Sequence, residues 1–415
     1  MREIVIASGV RTPVGAYLGG LRSVEAYDLA ALVLNEAARR AGIGPGQVDE
    51  VILGQSYQNG EYVNIARMAL LNAGWPEGVT GLTVDQRCCT GLETVRLAGA
   101  LIASGQAEIV VAGGVESMSN AEFYLPGSVK WGIGGEKGMP RGHGDLRQWG
   151  ITLFDRIQRA RVMSQPEHRY GVLPSMMSWA ETAAREENVT REECDLWAFT
   201  SHRKACAAWD AGRFMEEVAP VMVPGKKGEA VTVDRDETPR PETSLEKLAR
   251  LKPVLGGVCT AGNSSTENDG AAAVVVMSAE KARELGIRPF VKVRSVAVAG
   301  ADPTRTHLTV GAAARKALAA AGTSLGQMGL IEIQEAFAAQ VLADLKEMGV
   351  PEKDWGKVNV NGSGISLGHP IAATGVRVLV TLMHEMRRRG ERLALECICG
   401  GGGLGIAAVL EGMDA

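Results

Sequence analysis

Residues 41–47 read AGIGPGQ and residues 321–327 read AGTSLGQ. Both hold Ala-Gly, three residues, then Gly-Gln, and their surroundings match as well. A stretch with helical periodicity precedes each, DLAALVLNEAARRAG at 28–42 and GAAARKALAAAG at 311–322. A continuous apolar run follows each, EVILGQ at 50–55 and LIEIQ at 330–334. Helix–Gly–strand units recur in any α/β chain, so one match carries little. A second, looser match lies in the same order: helix 92–104, Gly105 and strand 108–112 are echoed by helix 375–389, Gly390 and strand 393–397. Two ordered matches predict a fold made from two copies of one α/β unit.

The remaining runs agree. EIVVAGG (108–114), AAAVVVMS (271–278) and LALECIC (393–399) are apolar without alternation, as strands buried on both faces are. Strands alternating with helices predict an α/β protein with largely parallel sheets. The start, MREIVIASGVRTP, reads as a first strand, Ile4 to Ser8, and lacks the features of a secretory signal. From Met118 to about Arg250 the strand rhythm lapses. That segment holds helical stretches 175–188 and 191–212 and the polar run 224–244, the pattern of an inserted lid or binding subdomain.

With 415 residues, 46% of them apolar, the chain can bury a large core. A net charge of -4 argues against a nucleic-acid partner. No apolar run reaches membrane-spanning length. Seven cysteines, an odd number, suit reduced thiols in the cytoplasm better than a disulfide framework. Cys397 and Cys399 have no second pair with which to build a metal site.

Four stretches carry chemistry. In RCCTGLETV (87–95) two thiols precede a turn into a helix, whose N-terminus favours a thiolate and leaves N–H groups free for an oxyanion. A lone cysteine there is more often a packing residue. In NVNGSGISLGHPIAATG (359–375) a stiff loop holds His369 between Gly368 and Pro370. In CICGGGGLGIA (397–407) a strand ends in Cys399 and four glycines; a tight crossover explains the glycines but not the thiol. In IQEAFAAQ (333–340) Gln334 and Glu335 follow a strand and either cap a helix or face a site. All four lie at carboxyl ends of predicted strands, the edge where α/β sheets bind ligands. Two thiols and an imidazole converging there suggest nucleophile, base and acid.

These stretches, taken in order, resemble the thiolase family over essentially the whole chain. VIASGVRTPVGAYLGGL (5–21) is similar to its first strand and loop, and AGGVESMS (112–119) to a following strand. DQRCCTGLE matches N-x-x-C-x-S-G-L, and CTAGNSSTENDGAAA (259–273) matches T-A-G-N-x-S-x-x-N-D-G-A-A. QEAFA (334–338) corresponds to N-E-A-F-A, SGISLGHPIAATG (363–375) to the G-H-P motif, and CGGGGLG (399–405) to C-x-G-G-G-x-G. The resemblance implies a five-layered αβαβα fold of two duplicated halves. One half would be residues 1–117 plus 251–279 and the other 280–415, with 118–250 as an inserted loop domain for CoA binding and subunit contacts.

It also implies an acyltransferase that cleaves a 3-oxoacyl-CoA with CoA, or runs the reverse Claisen condensation. Cys88 would be the nucleophile and Cys89 the small residue beside it. His369 would take the Cys88 proton and Cys399 the α-proton. The N–H groups of Cys88 and Gly401 would form one oxyanion hole, with His369 and a water held by Gln334 forming the other. CoA would meet Arg240, Ser265, Met176, Ser175 and Lys247, with Lys226 and Lys227 as further phosphate contacts. CoA and acyl-CoA enter as substrates, no cofactor is held permanently, and a homodimer or homotetramer is implied.

The chain departs from the family pattern at Gln334 (usually Asn), Ser175 (His in many short-chain members), Asp85 (usually Asn) and Arg87, a cation beside the nucleophile. Segment 119–174 is long and carries Tyr124, Trp131, Trp149, Arg156, Arg159, Arg161 and Tyr170. It suits a bulky acyl chain, or subunit contacts. Three rivals are an acetoacetyl-CoA synthesising thiolase, a decarboxylating ketosynthase (which would have His in place of Cys399), and a non-catalytic thiolase-like protein, which would lack one of the three reactive groups.

Overall fold

Gly42 closes helix Ala26–Ala41 at φ 71 and Gly322 closes helix Leu308–Ala321 at φ 64, a left-handed position that glycine takes without cost. Each is followed by one 3₁₀ turn, Pro45–Gln47 or Leu325–Gln327. Within it a glutamine side chain reaches back: Gln47 Oε1 accepts from Gly44 N–H at 2.8 Å and Gln327 Oε1 from Ser324 N–H at 3.1 Å. The two sequence repeats are therefore also conformational repeats.

The computed structural model describes residues 2–125, 127, 153–225 and 228–413. Lys226, Lys227, Trp131 and Trp149 lie outside them. Nine strands form the main hydrogen-bonded path: β1 (Ile4–Arg11), β2 (Glu50–Gly54), β3 (Thr80–Val84), β4 (Ile109–Ser117), β5 (Asn268–Ser278), β6 (Val291–Gly300), β7 (Leu330–Ile333), β8 (Leu393–Gly400) and β9 (Leu404–Gly412). Their spatial order is β7-β8-β9-β6-β1-β5-β4-β2-β3. Only Val5↔Lys292 and Ile6↔Val291 join β1 to β6, so the path is two sheets meeting at a seam. One half runs β1-β5-β4-β2-β3. The other runs β6-β9-β8-β7 and adds an isolated parallel bridge, Ile331↔Val358, where β3 lies in the first half.

Three apolar clusters show the layering. Helices Ala26–Ala41 and Ile65–Asn72 cover the outer face of the first sheet through Leu29, Val33 and Leu70. Helices Leu308–Ala321 and Ala338–Met348 cover the second through Val310, Ala317 and Leu342. Between the sheets, helices Thr90–Ala103 and Ile371–Arg389 bury Leu92, Val95, Val376 and Leu379. The result is the five-layered αβαβα fold.

Strand direction differs from expectation. β2–β3, β2–β4 and β7–β8 are parallel, but β1–β5, β5–β4, β6–β9, β8–β9 and β1–β6 are antiparallel. Apolar continuity reports burial on both faces, which helices on either side impose whatever the strand direction. The first strand also runs past Ser8 to Arg11. There the fully buried Arg11 bonds Glu217 at 2.6 Å and Asp236 at 2.7 and 3.1 Å, both carboxylates belonging to the inserted segment.

Candidate active site

The two central helices cross with almost no side chain between them. A Cβ on Gly375 would lie 2.4 Å from Leu92 N, and one on Gly91 would lie 2.8 Å from Val376 N. The crossing falls within the first two turns of each helix, and the chemical residues sit just upstream. Cys88 precedes helix Thr90–Ala103, and His369 precedes helix Ile371–Arg389. Arg87 turns the chain at φ 56, with its N–H bonded to Asp85 Oδ1 at 2.8 Å. Gln86 N–H donates to Thr90 Oγ1 at 2.6 Å and completes the turn.

Close backbone approach therefore sets Cys88 Sγ 3.2 Å from His369 Nε2. His369 Nδ1 lies 2.7 Å from Thr374 Oγ1, and that hydroxyl lies 3.0 Å from the Pro370 carbonyl. The carbonyl can only accept, so the single hydroxyl proton goes to it and Thr374 accepts from Nδ1–H. Nε2 then presents a lone pair to the Cys88 thiol. His369 N–H bonds Asn268 Oδ1 at 2.8 Å, which anchors the loop to the start of β5.

Burial sets the protonation states. It pushes the Cys88 thiol up to about 11, against the pull of the Gly401 and Cys88 N–H groups and of Arg87. Burial, with Arg377 and Arg161 adding to it, pushes His369 down to about 3. The helix N-terminus was expected to favour a thiolate; desolvation outweighs it, and the resting pair is a neutral thiol facing a neutral imidazole. Cys399, 1% exposed at the end of β8, is also a thiol, raised well above the usual range by burial. Cys89 turns away: its Sγ donates to Ile398 O at 3.6 Å, and a Cβ on Gly400 would come within 2.9 Å of it. All seven cysteines are unpaired.

Cys88, His369, Cys399 and Gly401 share the wall of one cavity of about 520 Å³ with Ser175, Met176, Ser265 and Arg240. Two expected residues do not reach it. Lys247 sits on the surface with Nζ bonded to Glu242 O at 2.7 Å. Gln334 is fully buried and does not line the cavity: its Oε1 accepts from Arg377 Nη2 at 3.2 Å, and its Nε2 meets no acceptor among the described residues. Its neighbour Glu335 accepts from Trp197, Ser201 and Asn359 and ties the second half to the inserted segment. Of the arginines in segment 119–174 singled out above, Arg156 pairs with Glu122, Arg159 lies over Phe154 and Arg161 pairs with Glu267; of these three only Arg161 lines the cavity. Tyr124 stacks on Phe154 and Tyr170 lies beneath Arg169, both away from it.

Sequence reasoning passed over three positioning groups. Thr374 and Asn268 lie inside quoted motifs, yet only the fold shows them touching His369. Buried Glu116, in AGGVESMS, accepts N–H bonds from Ser56, Tyr57 and Ala372 and so joins a cavity loop to the His369 helix. Its carboxyl rises to about 7, because burial outweighs those bonds. An acidic residue in an otherwise apolar strand was the available signal.

A thiol, a base that faces it and N–H groups around the sulfur, set between two α/β halves, form a covalent acyl-transfer site. Two family models, "Thiolase, N-terminal domain" over residues 4–280 and "Thiolase, C-terminal domain" over 287–412, match the chain. It is 43% identical to an acetyl-CoA acetyltransferase of Syntrophomonas wolfei, over 99% of this chain and 100% of that one. It is 42% identical to one of Escherichia coli over 100% of both. The crystal structure of the Bacillus anthracis acetyl-CoA acetyltransferase superposes with TM-score 0.90 at 39% identity, covering 100% of this chain and 99% of that one. Human mitochondrial 3-ketoacyl-CoA thiolase gives 0.89 at 35%, covering 99% of each. The chain belongs to the thiolase family and is an acyltransferase. No helix among the described residues is long and apolar enough to cross a membrane.

Proposed function

We propose that the protein cleaves a 3-oxoacyl-CoA with CoA, giving acetyl-CoA and a shortened acyl-CoA, with Cys88, His369 and Cys399 as its reactive groups. The observation that carries this is the 3.2 Å Cys88–His369 contact in a cavity shared with a second thiol, Cys399. Cys88 passes its proton to His369 Nε2 as the sulfur attacks the C3 carbonyl, whose oxygen is met by the N–H groups of Cys88 and Gly401. Collapse breaks the C2–C3 bond. The electron pair stays on C2, Cys399 protonates it, and acetyl-CoA leaves. CoA then gives its thiol proton to the Cys399 thiolate and attacks the acyl-enzyme, and Cys88 departs and recovers its proton from His369. Condensation is the same sequence reversed, and the names of the bacterial relatives fit either direction.

Ser175, Met176, Ser265 and Arg240 support a CoA site along the cavity, and we assign the inserted segment 118–250 to CoA binding and subunit contacts. Among the described residues the outer edge of β3 is unpaired, and it carries exposed Leu82, which suits sheet continuation in a homodimer or homotetramer. The free thiols suit the cytoplasm.

Intact-protein mass spectrometry after mixing with 3-oxoacyl-CoA tests the assignment. Wild type and Cys89→Gly should gain one acyl mass and Cys88→Ala none. Cys399→Ser should gain the acyl group from acyl-CoA yet fail to condense or exchange α-protons. An adduct retained in Cys88→Ala, or near-normal turnover in Cys399→Ser, overturns the corresponding role.

A further inference from the structure

Three arginines line the cavity, and they differ in what they meet. Arg240 is exposed at the rim, and Arg161 is held by Glu267 at 2.6 Å. Arg87 is half-buried next to Cys88, and its guanidinium pairs with no carboxylate among the described residues. Asp85, two residues away, accepts from the Arg87 backbone N–H at 2.8 Å and from Thr90 Oγ1 at 3.5 Å and does not pair with the guanidinium. A second donor on the same cavity wall also lacks a partner among the described residues. Tyr57 is buried, lines the same cavity, and its hydroxyl bonds to no described residue, while its N–H is fixed to Glu116 at 3.0 Å. Ser56 Oγ donates to the Arg87 carbonyl at 3.3 Å, which brings the loop carrying Tyr57 against the Arg87–Cys88 turn.

The wall around Tyr57 is apolar. Met118, Ala160 and Ile371 pack with it and line the cavity too. Met176 instead lies against Gly401, where a Cβ would come 3.0 Å from its sulfur. The cavity wall thus carries, besides the nucleophile, an apolar patch together with a cation and a hydroxyl that the described residues leave unpaired. A neutral acyl chain would bury that cation without a partner, which is costly. A terminal carboxylate would supply one, in a charge-assisted bond.

We propose that Arg87, with the Tyr57 hydroxyl, binds the terminal carboxylate of the acyl chain, making the preferred substrate the mono-CoA thioester of a 3-oxodicarboxylic acid. This rests on the thiolase chemistry proposed above and adds its substrate class. Arg87 is then a specificity-determining residue, and Arg156, Arg159 and Arg161, already engaged, are not.

The test pairs substrates of equal length that end in a methyl or a carboxylate: 3-oxohexanoyl-CoA against 3-oxoadipyl-CoA, and 3-oxooctanoyl-CoA against 3-oxosuberyl-CoA. Thiolysis kcat/KM should favour the carboxylate member of at least one pair by about 10-fold or more, the scale of a hydrogen bond to a charged group. Arg87→Met should bring that ratio to about 1, and Arg87→Lys should keep part of it, because Lys retains the charge without the planar fork. Wild-type preference should also shrink as salt rises, a readout that needs no variant. A ratio at or below 1 in wild type for both pairs, or one unchanged in Arg87→Met, overturns the proposal. Acylation of Cys88 at equal rates by both members sinks the carboxylate site alone. No acyl adduct with any of them sinks the thiolase chemistry and this proposal together.

Discussion

The neutral Cys88–His369 pair has a direct consequence for pH dependence. His369, pushed down to about 3, stays unprotonated above that value, and Cys88, pushed up to about 11, stays a thiol below it. Acylation should therefore show no acid limb centred near the ordinary histidine pKa of about 6.5. Iodoacetamide inactivation should quicken by about tenfold per pH unit from pH 7 toward 10, as a thiolate minority grows. A rate already level from about pH 5 would mean a resting thiolate–imidazolium pair and overturn this protonation scheme. The pairing itself was partly legible. Cys88 and His369 stand in short motifs with turn-forming neighbours. Their ionisation was not, because it depends on solvent excluded by segments hundreds of residues away.

Among the elements, the decisive contact is the glycine crossing of the two central helices. The T-G-L and A-T-G ends of the two motifs each carry a glycine whose missing Cβ lets the backbones touch. Gly375→Ala must part the helices near Leu92 and should cost about 1–3 kcal/mol, the usual range for overpacking. It should also slow acylation, since Cys88 and His369 ride on those helix ends. Thermal unfolding with stopped-flow acylation checks both, and unchanged values for the two would remove the crossing from the account of the site. The helices were readable from their period and the strands from their apolar runs. Strand direction was not, because β5 returns to the sheet only after the long insertion and enters antiparallel between β1 and β4.

The whole molecule is held by polar contacts as well as by its three apolar layers. Arg11 in β1 bonds Glu217 and Asp236 with no solvent access, and Trp209 Nε1 adds a bond to Asp236 at 3.1 Å. Removing the cation strands two buried carboxylates. Arg11→Met should thus cost about 3–5 kcal/mol in denaturant unfolding. The loss should fall first on the inserted segment, read as faster proteolysis between residues 153 and 250 while the α/β core persists. A stability change below about 1 kcal/mol would show the cluster to be dispensable.

The amino-acid sequence by itself determined the duplication, the α/β class and the identity of the two thiols and the imidazole. These are properties of order and spacing along the chain, and helix caps, apolar runs and turn residues act over a few positions. The tertiary structure alone decided which candidates act together. It drew Ser175, Met176, Ser265 and Arg240 to the cavity of Cys88 and left Gln334 and Lys247 outside it. It also paired Arg161 with Glu267 and, among the described residues, left Arg87 without a carboxylate. Charge balance and desolvation belong to the space around a group, and distant parts of the chain fill that space only when it folds.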